Sequence, residues 1–172
     1  ADIKEMVKHS VCIDYNMVTD ITKDVRITLY NAGHCLGSAM AHLNIGNGLH
    51  NLLYTGDMKY GATRTLDPAA TLFPRLETMI LESTYGGKDN VLPSREECEK
   101  DLFDAIKRAI DRGGKVLIPS LGVGRGQEEM LLIEQAITEG TIPNVPVYVD
   151  GMVWDVTAIH TAYPNFLSGT VK

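Results

Sequence analysis

The sequence predicts an α/β protein in two parts. Its first half carries short runs of alternating apolar and polar β-formers, two of them separated by Asn47-Gly48. Its second half alternates strand-like and helix-like segments, and the helices carry clear start and stop signals. An Asn-Gly pair between strand-like runs points to an antiparallel hairpin. The β-α-β-α succession points to a parallel, doubly wound sheet. The change of character places a boundary near residue 86, giving parts at 1–86 and 87–172. No internal repeat or low-complexity segment interrupts either part.

Taken in order, residues 2–8 read as the end of a helix, and residues 25–30 alternate as a strand. A glycine-punctuated loop, Asn-Ala-Gly-His-Cys-Leu-Gly-Ser, occupies residues 31–38. Strands follow at 39–46 and 49–56, and another at 78–82 after a proline-containing loop. Ser94 with Glu97 forms a capping box that opens an amphipathic helix, stopped near Arg112 by Gly113-Gly114. Strand 115–119, helix 125–138, strand 146–149 and helix 154–162 complete the pattern.

Composition narrows the class. The chain has 172 residues, 44% of them hydrophobic, enough to build a core. No apolar run approaches the roughly 20 residues that span a bilayer. The N-terminal residues lack a secretory signal, so a cytoplasmic location is expected. The absence of an initiator Met suits a piece of a longer protein. Cys12, Cys35 and Cys98 are odd in number with no CxxC pair, which argues for free thiols over a disulfide framework or zinc knuckle. A net charge of −6 is unfavourable to non-specific nucleic-acid binding. It does not exclude a nuclease, because bound zinc brings positive charge to the phosphate.

The hairpin carries the chemistry. A two-residue turn at Asn47-Gly48 pairs Gly46 with Leu49, and stepping back pairs Ala39 with Gly56 and Ser38 with Asp57. The loop bearing His34 then begins beside Asp57. An imidazole and a carboxylate on one sheet edge suit a divalent metal such as zinc. Two ligands do not close a catalytic site, which usually takes three from protein plus water. Read singly, His34 is a loop histidine and Asp57 a turn residue; the Gly-His-x-x-Gly-Ser and Thr-Gly-Asp contexts, brought together by register, favour the metal.

Ala-Gly-His-Cys-Leu-Gly-Ser-Ala (32–39), Tyr-Thr-Gly-Asp (54–57) and Glu-Ser-Thr-Tyr-Gly (82–86) resemble consecutive signatures of β-CASP metallo-β-lactamase nucleases. Pro-Ser-Leu-Gly-Val-Gly-Arg-Gly-Gln-Glu (119–128) and Val-Tyr-Val-Asp-Gly-Met (147–152) are similar to later signatures of the same family. The likeness is greatest to archaeal homologues of the cleavage and polyadenylation specificity factor nuclease. It implies part of an αββα metallo-β-lactamase sandwich, followed by part of a doubly wound β-CASP domain. It implies His34 as a ligand of one zinc and Asp57 as the carboxylate bridging two. Glu82 matches the acidic residue near the metals that serves proton transfer or orients a catalytic histidine. RNA is the implied substrate and transcript 3′-end processing the setting, with endonuclease activity, alone or joined by 5′→3′ exonuclease activity. Two metals roughly 3.5–4 Å apart activate a hydroxide and stabilise the leaving oxygen.

Departures from the family pattern matter equally. The His-x-His-x-Asp-His motif that supplies most zinc ligands is absent, as are the downstream family histidines; His160 matches neither. The expectation is an internal fragment, inert by itself. A catalytically silent scaffold subunit of an RNA-processing complex is the alternative; retention of His34, Asp57 and Glu82 weighs against it. A hydrolase of thioesters or lactams fits poorly with the Glu82 segment and the β-α-β region after it. Whether the full-length protein forms a homo-oligomer is left open.

Ser38 and Arg125 are the candidate substrate-binding residues. Arg125 and the helix N-terminus behind it can receive a phosphate; equally, the glycines can serve a tight β-α turn while Arg125 pairs with an acidic neighbour. Gly122, Gly124 and Gly126 have the wrong spacing for a dinucleotide fingerprint, and no Walker A motif is present. Ser83, Thr84 and Tyr85 are expected to hold their loop. His9, His42 and His50 read as surface or strand residues, and Asp150 as a turn residue.

Overall fold

The computed structural model describes residues 2–169 and residue 171. The chain divides into two compact units. One gathers the chain up to Ala62 together with Pro68–Glu82; the other gathers Thr63–Asp67 and the chain from Ser83 onward. No helix among the described residues is long and apolar enough to cross a membrane.

The first unit opens with helix α1 (Asp2–Lys8) and contains a five-stranded sheet: β1 (Val18–Thr22), β2 (Val25–Asn31), β3 (Ala39–Ile45), β4 (His50–Tyr54) and β5 (Thr78–Ile80). Spatial order follows chain order; β1 to β4 pair antiparallel, and β5 runs parallel to β4. The expected hairpin register is present, with Ile45 opposite His50 and Ala41 opposite Tyr54. Asn47 (φ 54°) and Gly48 (φ 100°) both lie in the left-handed region that a type I′ turn requires. The ladder stops at Tyr54, short of the expected end at residue 56, because Gly56 (φ 52°) bends the chain away.

Strand β1 is a strand that the pattern at 25–30 did not announce. It lies at the sheet edge, mostly exposed, and Asp20 within it pairs with Arg26 of β2 at 2.9 Å. A charged edge strand lacks the alternation that marks a half-buried one.

The core of this unit sits on one face of the sheet. Met40 and Leu53 are buried there against Ala32 and Ala69, with Tyr30, Phe73 and Leu76 packed around them. Buried Asn51 donates its backbone and side-chain N–H groups to Glu77 Oε2, at 2.7 and 2.9 Å, fixing the entry to β5.

Among the described residues the second unit has three α-helices, α2 (Arg95–Asp111), α3 (Arg125–Thr138) and α4 (Met152–Ala162), and a short 3-10 turn at Pro164–Phe166. Both bonds of the Ser94–Glu97 capping box are made. Ile106, Ile133, Ala136 and Ile142 form the core between helices. The strands expected at 115–119 and 146–149 are not formed, so the described residues show no doubly wound sheet. Both segments instead line an apolar cavity of about 850 Å³ with Ile106, Ile110, Met130 and Val153, and Leu117 and Tyr148 are exposed. Strand preference is realised by packing and ladder partners rather than by local propensity, and here no ladder partner is provided.

Glu128 on α3 secures the Thr63–Asp67 segment to this unit. Its carboxylate accepts the Arg64 N–H at 2.9 Å, and the Thr65 N–H and hydroxyl at 2.6 Å each. Arg64 completes the clasp through Glu99 at 2.8 Å. Burial pushes the Glu128 carboxyl up, but the bonds from Thr65, Arg64 and Thr63 outweigh it and hold the group below its ordinary value of 4.5. Such a depressed carboxyl stabilises the fold above the ordinary value, and this contribution is lost as pH falls through the folded one. Glu128→Ala is expected to destabilise the 172-residue chain by about 3 kcal/mol at pH 7, since it strands buried donors. Urea unfolding of both proteins should show that gap shrinking below pH 4.5; a gap independent of pH would refute the ionised clasp.

Candidate metal and phosphoryl site

Strand direction gathers the candidate residues of the first unit. β2, β4 and β5 all point the same way, because β3 reverses between β2 and β4 and β5 is parallel to β4. His34, Asp57 and Glu82 each follow the C-terminal end of one of these three strands. They therefore emerge at the same end of the sheet.

The His34 loop is tied down by Ser38. Its Oγ accepts the N–H of His34 at 3.2 Å and of Cys35 at 3.1 Å, while its carbonyl receives Ala32 N–H at 3.1 Å and the Tyr15 hydroxyl at 2.8 Å. Gly33 (φ 65°) and Gly37 (φ 80°) supply the left-handed turns this path needs. The Asp57 loop is laced to it: the Lys59 N–H donates to the Ala32 carbonyl at 2.8 Å.

This lacing brings His34 Nε2 to 3.8 Å from Asp57 Oδ2, with both side chains exposed. The pairs Ala39–Gly56 and Ser38–Asp57 expected from the hairpin are not ladder pairs, because the strands part before them. The convergence comes from the two loops beyond the ladder. Glu82 is half-buried and its Oε1 accepts the Met58 N–H at 3.0 Å, one residue past Asp57.

Zinc sits about 2 Å from an imidazole nitrogen or a carboxylate oxygen. A nitrogen and an oxygen 3.8 Å apart on exposed side chains thus fit as two ligands of one ion. They do not complete a site: among the described residues no group of three or more His, Cys, Asp or Glu is placed to hold a metal.

Arg125 belongs to the second unit, exposed at the start of α3. The backbone donors at that turn are already engaged. Gly124 N–H bonds Gln127 Oε1 at 2.8 Å, Arg125 N–H bonds Val123 O at 3.0 Å, and Gly126 N–H bonds Leu121 O at 3.2 Å. A Cβ on Gly122 would meet Met152 at 2.7 Å, and one on Gly126 would meet Val153 at 2.8 Å. Those two glycines therefore admit the close approach of α4.

The remaining histidines have structural partners. His42 is buried, stacked on Phe73 and bonded through Nε2 to Arg75 O at 2.8 Å. His50 bonds Thr78 Oγ1 at 3.0 Å, and exposed His9 bonds Glu5 O at 2.7 Å. His160 lies buried in α4 with Nδ1 on Val156 O at 2.8 Å. Asp150 accepts the Gly151 N–H at 2.7 Å, a turn role. Cys12, Cys35 and Cys98 are free.

No protein-family model matches the chain. Curated relatives do. Transcription termination factor FttA of Methanocaldococcus jannaschii is 59% identical over 171 residues, covering 99% of this chain and 27% of that protein. The protein of the same name from Pyrococcus horikoshii is 57% identical over 171 residues, and that of a Lokiarchaeum species 48% over 171 residues. The chain thus spans about a quarter of the length of these archaeal termination factors, to which it is homologous along almost its whole extent.

Proposed function

We propose that this chain is an internal segment of a zinc-dependent ribonuclease that cuts transcripts at or near their 3′ ends. Residues 1–86 are read as part of a metallo-β-lactamase domain and 87–172 as part of a β-CASP domain. The observation that carries the reading is the approach of His34 Nε2 to Asp57 Oδ2 at the sheet end where Glu82 also emerges. The name shared by the relatives, transcription termination factor, fits an action on nascent RNA.

In this reading His34 would be a ligand of one zinc and Asp57 a ligand shared by two, the remaining ligands coming from elsewhere in the full-length polypeptide. When bound, such a metal pair would supply a nucleophile and positive charge at the phosphoryl group. Glu82 is read as the proton-transfer group, and its grip on the Met58 amide holds the Asp57 loop. Ser38 keeps His34 in place and offers its hydroxyl proton to a phosphate oxygen. Arg125 offers a fork of donors to the RNA backbone, which a net charge of −6 otherwise discourages.

The full-length polypeptide should bind zinc and cleave RNA, with both properties lost on chelation and in Asp57→Ala. The 172-residue chain alone should be inert. Cleavage that survives both treatments would end the two-metal reading; zinc binding and partner assembly without any cleavage would point to the scaffold alternative. Glu82→Gln retains a carbonyl oxygen for the Met58 amide, so zinc content should hold while the cleavage rate falls about a hundredfold, the usual scale of a lost proton-transfer group. An unchanged rate in that variant would leave Glu82 a purely structural role.

A further inference from the structure

We propose that Thr55 is a positioning residue for both carboxylates of the site, acting through its side-chain hydroxyl. The proposal rests on the metal-dependent reading above and adds a residue to it. Thr55 is 1% exposed and sits where β4 has ended and the chain turns through Gly56 toward Asp57. Its backbone N–H donates to Ile80 O at 3.1 Å, joining it to the end of β5.

The hydroxyl is used in both senses. It donates to the Gly56 carbonyl at 2.8 Å, on the peptide that leads directly into Asp57. It accepts the backbone N–H of Glu82 at 3.2 Å. One oxygen thus grips the peptides adjoining both acidic residues. Glu82 closes the circuit from the far side, its Oε1 taking the Met58 N–H at 3.0 Å. Asp57 is therefore restrained on both flanks, at the Gly56 carbonyl by Thr55 and at the Met58 amide by Glu82.

Burial alone does not explain a hydroxyl here, because a valine has nearly the same shape and no polar atom to desolvate. What threonine adds is one donor and one acceptor, and both land on the supports of the site. Gly56 makes such a support useful: its left-handed backbone (φ 52°) is intrinsically permissive, so something outside the residue must fix the direction in which Asp57 leaves it.

The test uses the full-length polypeptide, stripped of metal and titrated with zinc. Thr55→Val keeps the shape and removes the hydroxyl; Thr55→Ser keeps the hydroxyl and removes a methyl. Thr55→Val should bind zinc about tenfold more weakly, the scale seen when a group that orients a metal ligand is lost. Its Glu82 amide should also exchange with solvent faster. Thr55→Ser should lose thermal stability yet keep its zinc affinity, because the methyl packs and the hydroxyl positions. Wild-type zinc affinity in Thr55→Val, or equal weakening in Thr55→Ser, overturns the proposal. If Thr55→Val does not fold, Thr55→Ala against Thr55→Ser isolates the hydroxyl in the same way. Asp57→Ala separates the two levels. Zinc affinity indifferent to Asp57→Ala defeats the metal reading itself, whereas weakening by Asp57→Ala without weakening by Thr55→Val defeats only the positioning role.

Discussion

The parallel pairing of β5 with β4 is the constraint on which the site depends. An antiparallel β5 would send Glu82 to the opposite end of the sheet from Asp57. Parallel neighbours cannot be joined by a tight turn; they need a long connection that carries the chain back along the sheet. The segment between Asp57 and Thr78 makes that return, and it supplies Ala69, Phe73 and Leu76 to cover Met40 and Leu53. The topology that aligns the acidic residues therefore also closes the core beneath them. Its cost is a long irregular segment, whose backbone polar groups must find partners outside any ladder. They do so at defined points: Lys59 N–H on Ala32 O, Ala69 N–H on Lys59 O, Ala70 N–H on Asn31 O and Glu77 N–H on Asn51 O. The first and third of these bonds tie the returning segment to the stretch just before His34, so the connection also braces the His34 loop.

Much of this was legible in the residues. Asn47-Gly48 announced both the turn and its register, because the left-handed backbone it needs is costly for most other pairs, and the observed pairing follows it. Ser94 with Glu97 announced the start of α2 for a similarly local reason, a reciprocal pair of side-chain bonds. The meeting of His34 and Asp57 was anticipated, but by a ladder extended past its real end. What brings them together is loop lacing through Lys59 and Ala32, a backbone contact with no side-chain signature.

The misses have the same origin. Val116, Leu117 and Ile118 look like strand residues, as do Val147, Tyr148 and Val149, but a short apolar run says only that a segment prefers burial. Whether it joins a ladder depends on a neighbour that local sequence does not specify. Strand β1 is the converse case. Val18, Thr19, Ile21 and Thr22 have the propensity and find a partner in β2, yet exposure and Asp20 erase the periodic signal. The Gln127-Glu128 pair was visible as part of a family signature, but its work was not. Gln127 caps the turn before α3, and Glu128 holds a segment from an earlier stretch of chain. Side chains that serve distant backbone amides leave no periodic trace.

A common device supports the two metal-ligand candidates. Each is carried on a turn that passes through glycine in the left-handed region, Gly33 and Gly37 around His34 and Gly56 before Asp57. Such turns place a side chain at the sheet rim but do little to aim it, because glycine restricts its own backbone least of all residues. In both loops a neighbouring hydroxyl supplies the missing restraint: Ser38 holds the His34 and Cys35 amides, and Thr55 holds the Gly56 carbonyl. Freedom and restraint are thus divided between adjacent residues. The glycine allows a close turn, and the hydroxyl selects one direction from those the glycine permits. Two turns built this way have their backbone direction set by folding itself, so the ordering entropy of His34 and Asp57 that remains lies mainly in their exposed side chains.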